Sequence, residues 1–229
     1  MPSTPPPPPH ATGDLPNLAI PAHPDVAIDG AQRVWDRRTK LDIVRFRHRR
    51  FDGTMSDTRT WEVWRRGRAA AIVPYDPVRD AVVLIEQFRL PALVAGYDPV
   101  LVELPAGMCD GGEPPEITAA REIEEEMHLS ATDLTPIGTF ILTAGGADET
   151  CAIYVGRVAV PPAGLDGLVA TTGGLAAEHE DIRVRVWDAA AAEDAALAGR
   201  IPNSVAALGL MWLAANRPRL RRDWTETDR

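Results

Sequence analysis

The sequence predicts an α/β fold: a mixed β-sheet with helices packed on its faces, preceded by an N-terminal β-hairpin region. Three patterns predict it. Short apolar runs outnumber the helical segments, one long helix interrupts those runs, and two alternating stretches flank an Asp-Gly turn. At 229 residues the chain can form one domain with a sizeable core, or two small ones packed closely. Apolar residues at 45% and charged residues at 25% are ordinary for a globular protein and exclude wholesale disorder.

The elements follow in chain order. Residues 1–25 read as a solvated tail: nine of the 21 prolines fall before position 25, and Pro5–Pro9 cannot pair backbone groups in helix or sheet. Residues 26–66 read as an N-terminal β region. Within it Leu41–Phe51 alternates apolar and basic residues, reaches Asp52-Gly53 and resumes at Thr60–Trp64, a hairpin signal. Arg45, Arg47, Arg49 and Arg50 read as the wet face of a strand, or an edge that meets a partner chain. Residues 67–225 form the main domain. Its candidate strands are Ala69–Val73, Ala81–Ile85, Pro99–Leu104, Thr139–Thr143, Ala152–Val160 and Ile182–Val186, with Pro74-Tyr75-Asp76-Pro77 as a turn between the first two. Helices are expected at Pro115–Leu129, Ala189–Ala198 and Asn203–Ala215.

Several classes of function are disfavoured. No apolar stretch approaches the roughly 20 residues that span a bilayer. The N-terminus lacks the basic and apolar regions of a signal peptide. Two cysteines, Cys109 and Cys151, make no disulfide framework, so a cytoplasmic home is expected. A balance of 24 basic against 33 acidic residues, net −9, repels nucleic acid over most of the surface. No glycine-rich phosphate loop ending in Gly-Lys is present.

The chemistry concentrates in Glu103–Leu129. Glu122, Glu125 and Glu126 stand at i, i+3 and i+4, on one arc roughly 100° wide. Ala120, Ile123 and Met127 fall opposite and can pack on the sheet, which leaves the carboxylates as a ridge facing away from the core. Crowded carboxylates repel one another. A hard divalent cation reverses the sign, because Mg2+ takes oxygen ligands that neutralise it. Gly107 and Gly111-Gly112 supply a loop that can expose backbone carbonyls, and Arg121 can pair with Glu113 to lock loop to helix. A solvated acidic face would explain the glutamates alone, but not the glycine spacing or the arginine.

Gly107, Glu113 and the run Arg121-Glu122-Ile123-Glu124-Glu125-Glu126-Met127-His128-Leu129 resemble the Nudix box in type and spacing. The likeness extends from about Leu41 to Trp224 and is closest to the ADP-ribose pyrophosphatase branch, through Pro74–Arg89, Glu103–Gly107, Glu178–Val186 and Asn203–Leu213. It implies a Nudix-type α/β/α sandwich and a homodimer built partly through residues 26–66. It also implies Mg2+, with Mn2+ as a substitute, as cofactor, and a nucleoside diphosphate such as ADP-ribose as substrate. By position, Glu122, Glu126 and the carbonyl of Ala106 would hold metal, with Glu125 close by. Glu178, or its neighbour Glu180, would act as base. Arg89 would hold the pyrophosphate, Glu103 and Glu149 would help place substrate and metal, and Arg59 or Trp61 would meet the nucleotide end. Gly107, Glu113 and Arg121 are the structural members of the motif.

Two positions depart from the pattern. His128 stands where the box has glycine, which predicts a changed helix C-cap rather than lost chemistry. Thr143-Ala144-Gly145-Gly146 lacks the proline usual before the two glycines, so another nucleoside diphosphate sugar or a dinucleotide stays open as substrate. A non-catalytic ADP-ribose-binding module is the third reading, opposed by the intact set Glu113, Glu122, Glu125 and Glu126. Glu124, near the apolar arc, has no assigned role.

Overall fold

A computed structural model describes residues 20–174 and 181–226. The chain divides into two compact units, Met1–Arg66 with Thr143–Asp148, and Gly67–Leu142 with Glu149–Arg229.

The first unit holds a three-stranded antiparallel sheet of β1 (Val26–Asp36), β2 (Lys40–His48) and β3 (Arg59–Arg65), in that order. The alternation seen in the sequence forms β2 and β3, joined by a loop wider than a two-residue turn. Asp52 Oδ1 accepts the Thr54 N–H at 2.8 Å inside that loop. β2 is the middle strand, so its arginines do not form an edge. Arg47 pairs with Asp29 at 2.9 Å and Arg49 with Asp25 at 2.8 Å, which neutralises the basic run within the unit. Asp42, fully buried, is held by Arg33 at 2.9 Å and Arg65 at 3.6 Å. Residues 143–148 close on the end of β3: Trp64 N–H donates to Gly146 O at 2.8 Å, and Arg65 pairs with Asp148 at 2.6 Å.

The second unit is a mixed eight-stranded sheet in the order β10-β11-β5-β4-β9-β8, with β6 on β5 and β7 on β4. Its strands are β4 (Arg68–Asp76), β5 (Ala81–Phe88), β6 (Val100–Glu103), β7 (Ala106–Met108), β8 (Thr132–Ile141), β9 (Thr150–Arg157), β10 (Leu168–Gly173) and β11 (Ile182–Asp188). β4 and β9 run parallel; the other pairings are antiparallel. The helices are α1 (Leu90–Val94), α2 (Pro115–Met127), α3 (Ala189–Leu197) and α4 (Ser204–Glu226).

β4 explains the layering. Its side chains alternate, yet both faces are buried. Ala70 and Ile72 join Ala119, Ile123 and Met127 of α2, while Ala71, Val73 and Tyr75 join α3 and the Leu210 and Leu213 pair of α4. The result is an α/β/α sandwich with a mixed sheet, the fold class the sequence predicts.

Three expectations need correction. Pro74–Asp76 continue β4, and the turn lies at Pro77–Asp80, where Asp76 Oδ1 accepts the N–H groups of Val78 and Arg79. α4 does not stop near Ala215 but passes Pro218 to Glu226. Buried Leu220 and Trp224 outweigh the one backbone hydrogen bond a proline removes. The carboxylate ridge of α2 does not point to open solvent: Glu122 and Glu126 are 8% and 2% exposed and Glu125 is half-buried, while Glu124, outside the ridge, is exposed.

Candidate active site

The site is built where β7 lies beside α2. β7 is three residues long and pairs with β4, Gly107 opposite Ala70. A methyl group at Gly107 would overlap the Glu122 carboxylate, which would have to turn aside to admit it, so glycine here leaves that carboxylate its place against the strand. One turn further on, Glu126 Oε2 accepts the Ala106 N–H at 3.2 Å. The two buried glutamates therefore face the Ala106-Gly107 backbone.

Pro114 and Pro115 start α2 without needing the donors they lack. In its first turn, buried Thr118 donates its hydroxyl to Glu113 Oε2 at 2.7 Å. Arg121 then gathers the acids. Its guanidinium reaches Glu122 and Glu125 at 2.7 Å each, Glu113 at 3.3 Å and the Met108 carbonyl at 3.3 Å. The Thr118 hydroxyl first, and Arg121 next, hold Glu113 below the usual carboxylate range. Burial works against the Arg121 charge, but Glu122, Glu113 and Glu125 outweigh it and raise its pKa. The C-terminus of α2 ends at His128, which adopts the left-handed conformation (φ 54°, ψ 36°) and donates its N–H to Glu124 O at 3.0 Å.

This set of hard oxygen donors fits a divalent cation of the Mg2+ type. The fit rests on two buried carboxylates gathered at the Ala106-Gly107 backbone, one of them filling the space a side chain at Gly107 would take. Among the described residues, no three His, Cys, Asp or Glu side chains stand together as a ready metal cluster. The guanidinium of Arg121 instead serves as counter-ion to Glu122 and Glu125.

Other candidate residues fall elsewhere. Arg89, at the end of β5, forms a two-toothed pair with buried Glu103, at 2.8 to 3.2 Å. Arg89 and Glu103 thus meet each other, with the guanidinium side chain 44% exposed. Glu149 precedes β9, and its carbonyl accepts the Leu142 N–H at 3.0 Å. Burial first, and the Glu149 charge next, push the thiol of Cys151 up to about 12, so that cysteine is a neutral core residue. Arg59 and Trp61 lie on β3 of the first unit, where Trp61 is 59% exposed and tilts against Phe46 with ring centroids 5.4 Å apart. Glu178 and Glu180 lie outside the described residues. Thr118 went unassigned in the sequence; its place in the first turn after Pro114-Pro115, five residues past Glu113, was the available signal.

Residues 65–204 match the NUDIX domain family. The chain therefore belongs to that family, and it is a Nudix pyrophosphohydrolase. It is 39% identical over 201 residues to an ADP-ribose pyrophosphatase of Escherichia coli K12, covering 87% of this chain and 93% of the relative. It is 36% identical over 203 residues to an ADP-ribose pyrophosphatase of Haemophilus influenzae, covering 87% and 91%. A crystal structure of an ADP compounds hydrolase shares the fold, with a TM-score of 0.57 and 21% identity over 86% of this chain and 98% of the other.

Proposed function

We propose that the protein hydrolyses the pyrophosphate bond of ADP-ribose to AMP and ribose 5-phosphate, with Mg2+ bound at α2. The observation that carries the reading is the burial of Glu122 and Glu126 against the Ala106-Gly107 backbone. The two similar ADP-ribose pyrophosphatases support the choice of substrate.

Glu122 and Glu126 would hold the cation together with the Ala106 carbonyl, and Glu125 shares the same face. Bound there, the cation supplies charge neutralisation of the diphosphate and a more acidic water. Arg121 is the counter-charge at Glu122 and Glu125 that the cation would replace, while its pair with Glu113 would remain. Arg89 reaches the diphosphate from the end of β5, with Glu103 behind it to set its orientation. Glu178, or Glu180, takes the proton as water oxygen bonds to phosphorus and the bridging P–O bond breaks. Arg59 and Trp61 serve the nucleotide end.

The test is a panel of ADP-ribose, other nucleoside diphosphate sugars and dinucleotides, with products separated chromatographically. ADP-ribose should be the best substrate and its turnover should vanish on chelation of divalent cations. A non-adenine sugar nucleotide turned over equally well would favour the second reading, for which Ala144 in place of the expected proline is the motive. We also assign the active form as a homodimer, with the exposed Val34 and Trp35 of β1 as part of the contact. Sedimentation at micromolar concentration checks it. Two free cysteines, one buried, suit a cytoplasmic location, and no helix among the described residues is long and apolar enough to cross a membrane.

A further inference from the structure

The last turn of a helix leaves carbonyls with no partner in the helix itself. In α2 the chain that follows supplies some of them: His128 N–H caps Glu124 O and Leu129 N–H caps Ile123 O, at 3.0 and 3.4 Å. The Glu125 carbonyl is satisfied from elsewhere. It accepts the N–H of Gly174, just past the end of β10, at 3.2 Å. Beside it, a methyl group at Gly173 would overlap the backbone carbonyl of Glu126, so only glycine lets β10 come this close. Overlap with a flexible side chain would be cheap to relieve. Here the obstacle is the backbone of the ligand-bearing turn, which cannot yield without carrying Glu126 with it.

We infer that Gly173 and Gly174 form a positioning joint that fixes the last turn of α2, and with it the carboxylates of Glu125 and Glu126, for metal binding. The inference rests on the reading of α2 as the metal-holding helix. Neither glycine touches metal or substrate; each acts through the backbone of residues 125 and 126. The geometry explains why the joint would matter more to Glu126 than to Glu122. Glu122 lies a full turn earlier and is located by Gly107, whereas Glu126 combines a side-chain contact to Ala106 with a backbone contact to β10.

Gly173→Ala tests the joint, with Mn2+ affinity measured by electron paramagnetic resonance alongside Mg2+-dependent turnover. Loss of a group that orients a ligand costs about 10- to 100-fold in metal affinity. The folded variant should bind Mn2+ at least about tenfold more weakly, and raised Mg2+ should restore most of its turnover. A folded variant with unchanged Mn2+ affinity and an unchanged Mg2+ requirement would overturn the inference. If Gly173→Ala does not fold, amide exchange in the unmodified protein decides. Saturating Mg2+ should slow exchange of the Gly174 N–H, because joint and metal are linked; exchange indifferent to Mg2+ would overturn the joint. Unmodified protein that binds no Mn2+ would overturn the function itself, a result distinct from either.

Discussion

Gly107 and Glu122 compete for one volume: the space a side chain at Gly107 would fill is occupied by the Glu122 carboxylate. A glycine here therefore leaves room, across the strand–helix contact, for the carboxylate proposed as a metal ligand. Gly107→Ala should keep the fold, because β7 is a short strand over α2, and lower turnover by about 10- to 100-fold. Steady-state kinetics over a Mg2+ titration check it. Wild-type kinetics would show that the Glu122 carboxylate has no fixed place to lose.

Arg121 pairs with Glu113, Glu122 and Glu125 at once. Removing it leaves like charges crowded and partly buried, and breaking such a pair exposes the full cost of the stranded partner. Arg121→Gln should destabilise the fold by about 1–3 kcal/mol, and added Mg2+ should recover part of that because the ion takes over as counter-charge. Urea denaturation with and without Mg2+ measures both effects. Equal stability in the absence of Mg2+ would remove Arg121 as the counter-ion of the resting site.

What could be read in the sequence follows from how local each signal is. The i, i+3, i+4 spacing placed Glu122, Glu125 and Glu126 on one face of α2, since helical spacing needs no distant partner. The burial of Glu122 and Glu126 could not be read, because it comes from Ala106–Met108, a strand three residues long with no pattern of its own. The alternation in β2 and β3 was equally visible, but β1, which turns β2 into a middle strand, was not identified as a strand. The expected helix ends at Ala215, whereas α4 runs on through Pro218 to Glu226, because Leu220 and Trp224 are buried beyond the proline. Gly173 carried no sign at all, since its neighbour is a carbonyl 47 positions earlier in the chain.

His128 holds the left-handed conformation that closes α2, at a position where the family pattern has glycine. A non-glycine residue pays about 1 kcal/mol for that geometry, partly offset by the greater freedom glycine has when unfolded. His128→Gly should stabilise the protein by about 0.5–1 kcal/mol and leave turnover unchanged, read from urea midpoints and from kinetics on the same preparations. A loss of stability would mean that the imidazole contributes more than its backbone costs.

Asp80 is one acid-sensitive element of the fold. Burial opposes its ionisation, but the Tyr75 hydroxyl at 2.8 Å, Arg217 at 2.7 Å and Arg221 at 3.0 Å outweigh burial and hold its pKa below the usual aspartate value. A lowered folded value means that the contribution is complete above the unfolded pKa, about 3.9, and disappears as pH falls through the folded one. Glu193, which faces Arg217 from α3 at 2.8 Å, has the opposite sign. Burial raises its pKa, so its contribution is full below the unfolded value and fades as pH rises through the folded one. The two carboxyls therefore oppose each other on the acid side, and substitution separates them. Asp80→Asn should lower stability at pH 7 by about 1–3 kcal/mol, as expected for hydrogen bonds to a charged group. It should also shrink the further loss between pH 5 and pH 3. Urea midpoints across that range decide the matter, and an acid limb as steep in the variant as in the parent would place the sensitivity on another carboxylate.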